Sequence, residues 1–140
     1  MATYTKEWQK ELEGGGIEDN LGEPGYNRWG ANSRLRYTRG HWTGAWSVRY
    51  IGHGTADNDF SADVYADNAV DEQFYHDVYV SFAVEDDVGY EFFAGIKNIE
   101  NNEPPYIPSP SSNSDTGTGT AAAVYDVIGR YYYAGVKVRF

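Results

Sequence analysis

The stretch Tyr125–Phe140, YDVIGRYYYAGVKVRF, decides the fold. Counted back by twos from Phe140, one side carries Val138, Val136, Ala134 and Tyr132, and the other carries Arg139, Lys137, Gly135, Tyr133 and Tyr131. Side chains of an extended strand alternate between two faces. One face is therefore apolar with an aromatic at each end, while the other bears charge, glycine and hydroxyls. A strand with lipid on one side and a wet lumen on the other reads this way. A half-buried strand of a soluble sheet shares the same period, so the decision rests on what lies upstream.

Upstream the pattern repeats. Six strand-like segments are legible, at residues 3–12, 31–39, 42–51, 73–85, 90–99 and 130–140. They predict an all-β chain, an antiparallel up-and-down meander of six strands with sequential neighbours paired. Gly40 and His41 mark one tight hairpin, and Asp86, Asp87, Val88 and Gly89 mark a second. The other connections are long: residues 13–29 hold three successive glycines and a Glu-Pro-Gly turn, 52–72 are rich in Asp and Asn, and 100–129 are rich in Pro, Ser, Thr and Gly. Long and short connections thus alternate, as they do in outer-membrane barrels.

Aromatic spacing follows the same plan. Trp42 and Tyr50, Phe74 and Phe82, and Tyr132 and Phe140 form pairs eight residues apart. Eight residues of tilted strand rise roughly 20 Å, close to the band of about 25 Å between aromatic girdles. Trp42, Val48, Tyr50, Val78, Val80, Phe82, Tyr90, Phe92, Val136, Val138 and Phe140 are expected to face lipid. The opposite positions, among them Ser47, Arg49, Asp77, Tyr79, Ser81, Glu91 and Lys97, would line the lumen.

Composition narrows the function classes. The 140 residues include 13 Tyr, 6 Phe and 4 Trp, a mix suited to β-structure. No run of 18 apolar residues exists, which excludes a membrane helix and leaves a barrel open. A formal charge of −10 opposes binding to a phosphate backbone, so no nucleic-acid partner is expected. With no Cys, thiol catalysis and Cys-based zinc sites are excluded. The opening MATYTKEWQKE lacks the basic and apolar regions of a signal peptide, which suggests a cytosolic chain or a piece of something longer.

Three stretches carry a family resemblance: GEPGYNRWGANSRLRYTRGHWTGAWSVRYIG, FYHDVYVSFAVEDDVGYEFFAGIKNIENNEPPYIP and YDVIGRYYYAGVKVRF, together spanning 22–140. The sequence resembles the C-terminal end of a TonB-dependent outer-membrane receptor. The terminal motif and the segment from Asn98 to Pro105 are its specific parts. In that family the segment commonly reads Asn-Leu-Phe-Asp, and here it is Asn98, Ile99, Glu100 and Asn101.

The resemblance implies the last six strands of a twenty-two-stranded barrel, without the plug domain. It implies location in the bacterial outer membrane and a share in active transport of a scarce nutrient, a metal chelate or a carbohydrate. The implied partners are the remaining barrel and plug, outer-membrane lipid and the barrel-assembly machinery, with TonB reached only through an N-terminal part not in this sequence. Tyr132, Val136, Val138 and Phe140 would face the membrane and form the assembly signal. The long loops would make an outer vestibule, placing Asn20, Tyr26, Trp29, Tyr65 and Tyr106 where ligand is captured. Aromatics beside amides suit sugars or aromatic chelates, and the same side chains also serve to pack loops together. The alternative class is a small soluble or secreted β-meander that binds carbohydrate through exposed Tyr and Trp. The two classes separate on a need for detergent.

Other motifs point to less. The loop Asp57–Glu72 is acidic but places Ala62 and Asn68 where a calcium-binding EF-hand needs Gly and Glu. The run Thr116–Thr120, TGTGT, lacks the Gly-Lys-Ser/Thr of a phosphate loop. His41, His53 and His76 are not spaced for zinc. Glu85 and Asp87 sit beside a turn with no pocket signal. No catalytic motif, metal site or cofactor is implied, and an enzyme is not expected.

Overall fold

In a computed structural model, residues 1–59, 67–84, 88–107 and 119–140 are described. Among the described residues there are ten strands: β1 Ala2–Tyr4, β2 Lys10–Glu11, β3 Ile17–Glu18, β4 Trp29–Arg39, β5 Trp42–Ile51, β6 Gly54–Thr55, β7 Ala69–Val70, β8 Gln73–Val84, β9 Gly89–Lys97 and β10 Tyr131–Arg139. Six of them form one sheet in the order β1-β4-β5-β8-β9-β10, a meander whose edges are β1 and β10. The pairs β2-β3 and β6-β7 are separate two-stranded ladders within the long connections. No helix occurs among the described residues, and none there is long and apolar enough to cross a membrane. Because direction reverses at each step, the long connections leave the sheet at one end and the tight turns at the other.

The stretch 3–12, expected as one strand, is divided. Ala2, Thr3 and Tyr4 pair with Ala31, Gly30 and Trp29, and the Thr5 amide extends this edge by donating to the Arg28 carbonyl at 2.9 Å. Lys10 and Glu11 instead fold back on Glu18 and Ile17. The cause is the turn at Gly14 and Gly15, whose φ values of 116° and 84° favour glycine. It lets the Leu12 amide donate to the Gly16 carbonyl at 2.8 Å. A local hairpin closes a shorter loop than any pairing with β4 would.

Two compact units are distinguished. The first comprises Met1–Ala31, Tyr50–Gln73 and Glu103–Val127, and contains most of the buried apolar side chains: Leu21, Ile51, Ala56, Val70, Ile107 and Tyr125. It is the loops that own a conventional core. Close backbone approach holds part of it together: the Thr55 amide donates to the Gly22 carbonyl at 3.0 Å, and a Cβ at Gly54 would collide with that same oxygen.

The second unit comprises Asn32–Arg49, Phe74–Asn102 and Ile128–Phe140. Its register sorts side chains completely. Val78, Ile96 and Tyr132 share a row, as do Val80, Ala94 and Ala134, then Phe82, Phe92 and Val136, then Val84, Tyr90 and Val138. All twelve are apolar or aromatic, and none is charged. The intervening rows place Tyr79, Gly95 and Tyr133 together, then Ser81, Phe93 and Gly135, then Ala83, Glu91 and Lys137. Burial runs opposite to solubility in water. Phe92 is 50% exposed and Val136 52%, whereas Ser81 is 5% exposed and Thr43 8%.

The ends of β8, β9 and β10 are tied by one asparagine-rich turn. Asn98, almost wholly buried, has its amide on Asp77 Oδ1 at 3.0 Å and its side chain bonded to both the amide and the carbonyl of Asn102. Asn102 Nδ2 donates to the Phe74 carbonyl at 2.7 Å, and Asn101 Oδ1 accepts from the Arg130 amide at 2.9 Å. Asn98 and Asn101 adopt φ of 49° and 59°, which asparagine tolerates better than most residues.

Replacing Gly54 with Ala tests the close approach in the first unit. The backbone must shift to admit the methyl group, at an expected cost of about 1–3 kcal/mol. Amide hydrogen exchange at Thr55 should accelerate accordingly, with protection of β9 and β10 unchanged.

Candidate functional site

Two places gather polar side chains, one in each unit. In the first unit, the turn 19–23 is laced to residues 57 and 58. The Leu21 amide donates to Asp19 Oδ1 at 3.0 Å. Asn58 Nδ2 donates to the carbonyls of Asp19 and Leu21 at 2.8 and 3.2 Å, and its amide donates to Glu23 Oε1 at 2.9 Å. Asn20 Nδ2 donates to Glu23 Oε2 at 3.1 Å. Burial raises the Glu23 carboxyl above its ordinary value near 4.5; the Asp57 and Asp59 charges add to this, while the bonds from Asn58 and Asn20 oppose it. Among the described residues, no three His, Asp or Glu side chains are gathered to hold a metal ion.

The residues expected to capture ligand have separate surroundings. Asn20 belongs to this lattice. Tyr26 packs on Trp8, ring centroids 4.2 Å apart. Trp29 is the first residue of β4, not a loop residue; its ring lies 4.7 Å from that of Tyr4, and its carbonyl accepts from the Gly52 amide at 2.8 Å. Tyr106 is 75% exposed and lies close over Gly119. Tyr65 lies outside the described residues, as do Glu85 and Asp87 and the start of the Thr116–Thr120 run. The first two aromatics thus spend a ring face on packing, and Tyr106 presents its ring to solvent.

In the second unit the polar face of the sheet forms a continuous surface. Thr38 and Thr43 meet hydroxyl to hydroxyl at 3.1 Å. The Arg49 guanidinium lies 4.8 Å from the Tyr75 ring centre. Tyr79 donates to Glu91 Oε1 at 3.0 Å, while Lys137 Nζ lies 3.3 Å and Arg139 Nη2 4.0 Å from Glu91 Oε2. Aromatic rings run across three strands: Tyr79 to Phe93 at 6.3 Å, Phe93 to Tyr133 at 6.4 Å, and Tyr133 to Tyr131 at 6.3 Å.

Glycine makes that ladder possible. Gly95 is the cross-strand partner of Tyr133, and Gly135 is that of Phe93. Each ring lies over the glycine opposite, where a Cβ would strike it. The two glycines therefore act as seats for two rings, a reciprocal arrangement worth more than either pair alone. Its signal in the sequence is the matching aromatic-x-Gly triplets Phe93-Ala94-Gly95 and Tyr133-Ala134-Gly135, whose meaning depends on the register.

Beside the ladder is a groove of about 230 Å³ lined by Arg34, Ser47, Asp77, Tyr79, Lys97 and Tyr133. Of the positions expected to face the membrane, Tyr132, Val136 and Val138 lie on the apolar face and are exposed; Phe140 follows the end of β10 and is fully exposed. Comparison with family models, curated proteins and solved structures finds no significant match.

The raised Glu23 carboxyl sets a pH dependence in the first unit. The folded chain holds this proton more tightly than the unfolded chain, so the penalty for its charge is full above the folded value and relieved as pH falls through it. Protection of the Asn58 amide should therefore rise between pH 7 and pH 4 in the wild type. Glu23→Gln keeps an acceptor for that amide and should flatten the Glu23-dependent part of the profile; hydrogen exchange against pH measures both.

Proposed function

We propose that this chain supplies wall strands and outer loops to an outer-membrane transport barrel of the TonB-dependent receptor kind. The observation that supports this best is the inverted sheet of β8, β9 and β10, with four uncharged apolar rows exposed or half-buried and the serine and charged groups of these three strands on the other face. Soluble monomers rarely expose a contiguous apolar patch beyond a few hundred Å². Rows spaced about 6.7 Å apart, on strands about 4.8 Å apart, make this face roughly 20 Å tall and three strands wide before β5 adds Trp42 and Trp46.

Strand length supports the same reading. Membrane strands need about 9–11 residues when tilted, and β4, β5, β8, β9 and β10 have 11, 10, 12, 9 and 9. Long connections leaving one end and tight turns the other match an outer face and a periplasmic face. A sheet edge in hydrocarbon leaves backbone groups unsatisfied. The edges β1 and β10 therefore call for neighbouring strands, which the remainder of a larger barrel provides. The sequence resemblance names the kind of barrel, and with it the uptake of a scarce nutrient.

The test is lipid contact. The full chain, with Trp8 and Trp29 replaced by Phe, is refolded into phosphatidylcholine vesicles containing a mid-chain-brominated lipid. Trp42 and Trp46 fluorescence should be quenched, and Val80→Arg should weaken insertion by about 2–4 kcal/mol. A chain that is folded and monomeric in plain buffer, with its tryptophans unquenched by the vesicles, would refute the reading.

A further inference from the structure

Charge in this chain is segregated by element. The segments 1–31, 50–73 and 103–127 contain fifteen of the 21 acidic residues and three of the 11 basic ones. The strands carry the reverse. The polar-face positions of β4, β5, β8, β9 and β10 bear Arg34, Arg36, Arg49, Lys97, Lys137 and Arg139 against two carboxylates, Asp77 and Glu91.

The two carboxylates are engaged in different ways. Glu91 is held by Lys137, Arg139 and Tyr79. One oxygen of Asp77 accepts the Asn98 amide and so fixes the turn, while the side chain also borders the groove. Among the described residues no ion pair engages Arg34 or Lys97. Both are exposed, and both border the groove of about 230 Å³ that Tyr79, Tyr133, Ser47 and Asp77 complete. Cations are thus concentrated on the one surface that also offers aromatic faces and a hydroxyl.

We infer that this groove is a subsite for a small organic anion, its carboxylates on Arg34 and Lys97 and its planar body on the rings of Tyr79 and Tyr133. Guanidinium and ammonium groups bind carboxylates by charge-assisted hydrogen bonds. A flat body adds aromatic contact that an inorganic ion cannot make. Asp77 borders the same groove and opposes this attraction, so two cations face one carboxylate there. The inference rests on the transport reading and names the chemical class of solute that would pass along this wall.

The experiment uses the full chain in zwitterionic detergent, with phthalate as an aromatic dicarboxylate, benzamide as its neutral counterpart and inorganic phosphate as a bare oxyanion, followed by isothermal titration. Phthalate should bind at least about ten-fold more tightly than benzamide, with affinity falling as salt rises. Arg34→Gln and Lys97→Gln each replace an exposed side chain, so the fold, checked by circular dichroism, should persist. Each should weaken phthalate by about five-fold and leave benzamide unchanged. Ser47→Arg, adding a cation to the groove, should strengthen phthalate.

Equal binding of phthalate and benzamide, or phthalate binding indifferent to Arg34 and Lys97, overturns the inference. Phosphate binding as tight as phthalate overturns the aromatic part, because charge alone would then explain the affinity. Lipid quenching of Trp42 and Trp46 is read independently, so a failed subsite with normal quenching leaves the transport reading standing. Binding of phthalate without quenching removes the membrane and keeps the subsite.

Discussion

Backbone pairing between β8, β9 and β10 is the constraint on which the rest of the second unit depends. The registers Val80 to Ala94 to Ala134 and Phe82 to Phe92 to Val136 belong to four rows that hold no charged residue and share one surface, while Phe93 and Ala83 lie on the other. A slip of one residue in any strand would mix Glu91, Lys137 or Arg139 into that surface. The same pairing seats Tyr133 on Gly95 and Phe93 on Gly135, so the ladder of rings and the clean apolar face are two results of one alignment. Turn chemistry holds one end of the alignment: the Asn98–Asn102 network fixes where β9 stops and where β10 begins.

The two units are stabilised by different physics. The first buries Leu21, Ile51, Val70, Ile107 and Tyr125 in the ordinary way, each burial of a large apolar side chain contributing about 1.5–3 kcal/mol. Its polar side chains satisfy backbone groups locally, as Asn58 does for the carbonyls of Asp19 and Leu21. The second buries few large apolar groups and exposes many. Its cohesion comes from backbone ladders, ring-on-glycine contacts and the Glu91 cluster. The ion pair of Glu91 with exposed Lys137 contributes little in water. Such a sheet leaves much of its apolar surface uncovered.

Side-chain engagement divides along the same line. Side chains singled out in the loops, Tyr26 and Trp29 among them, are engaged with Trp8 and Tyr4 as packing partners. The sheet's polar face instead displays rings and a hydroxyl around a groove bordered by Arg34 and Lys97, which no ion pair engages among the described residues. The side chains around the groove are spaced by the strand repeat, and the acidic segments contribute most of the chain's negative charge.

By itself the sequence determined the alternation of faces. From Tyr132 to Val138, and again from Val78 to Val84, apolar and polar residues follow a period of two that only a strand can sort, and the order of long and short connections then leaves a meander as the simple arrangement. The tertiary structure alone decided which residues meet across the strands and how the loops fold. The division of residues 3–12 between two partners, the placing of Trp29 within β4 and the core of Leu21, Ile51, Ile107 and Tyr125 all depend on non-local contacts. The groove joins Arg34 to Lys97 for the same reason: they lie far apart in sequence and come together only through register. A periodic pattern is a property of neighbours in the chain, whereas a loop core or a cross-strand site is set by closure entropy and packing between distant segments, which leave no period to read.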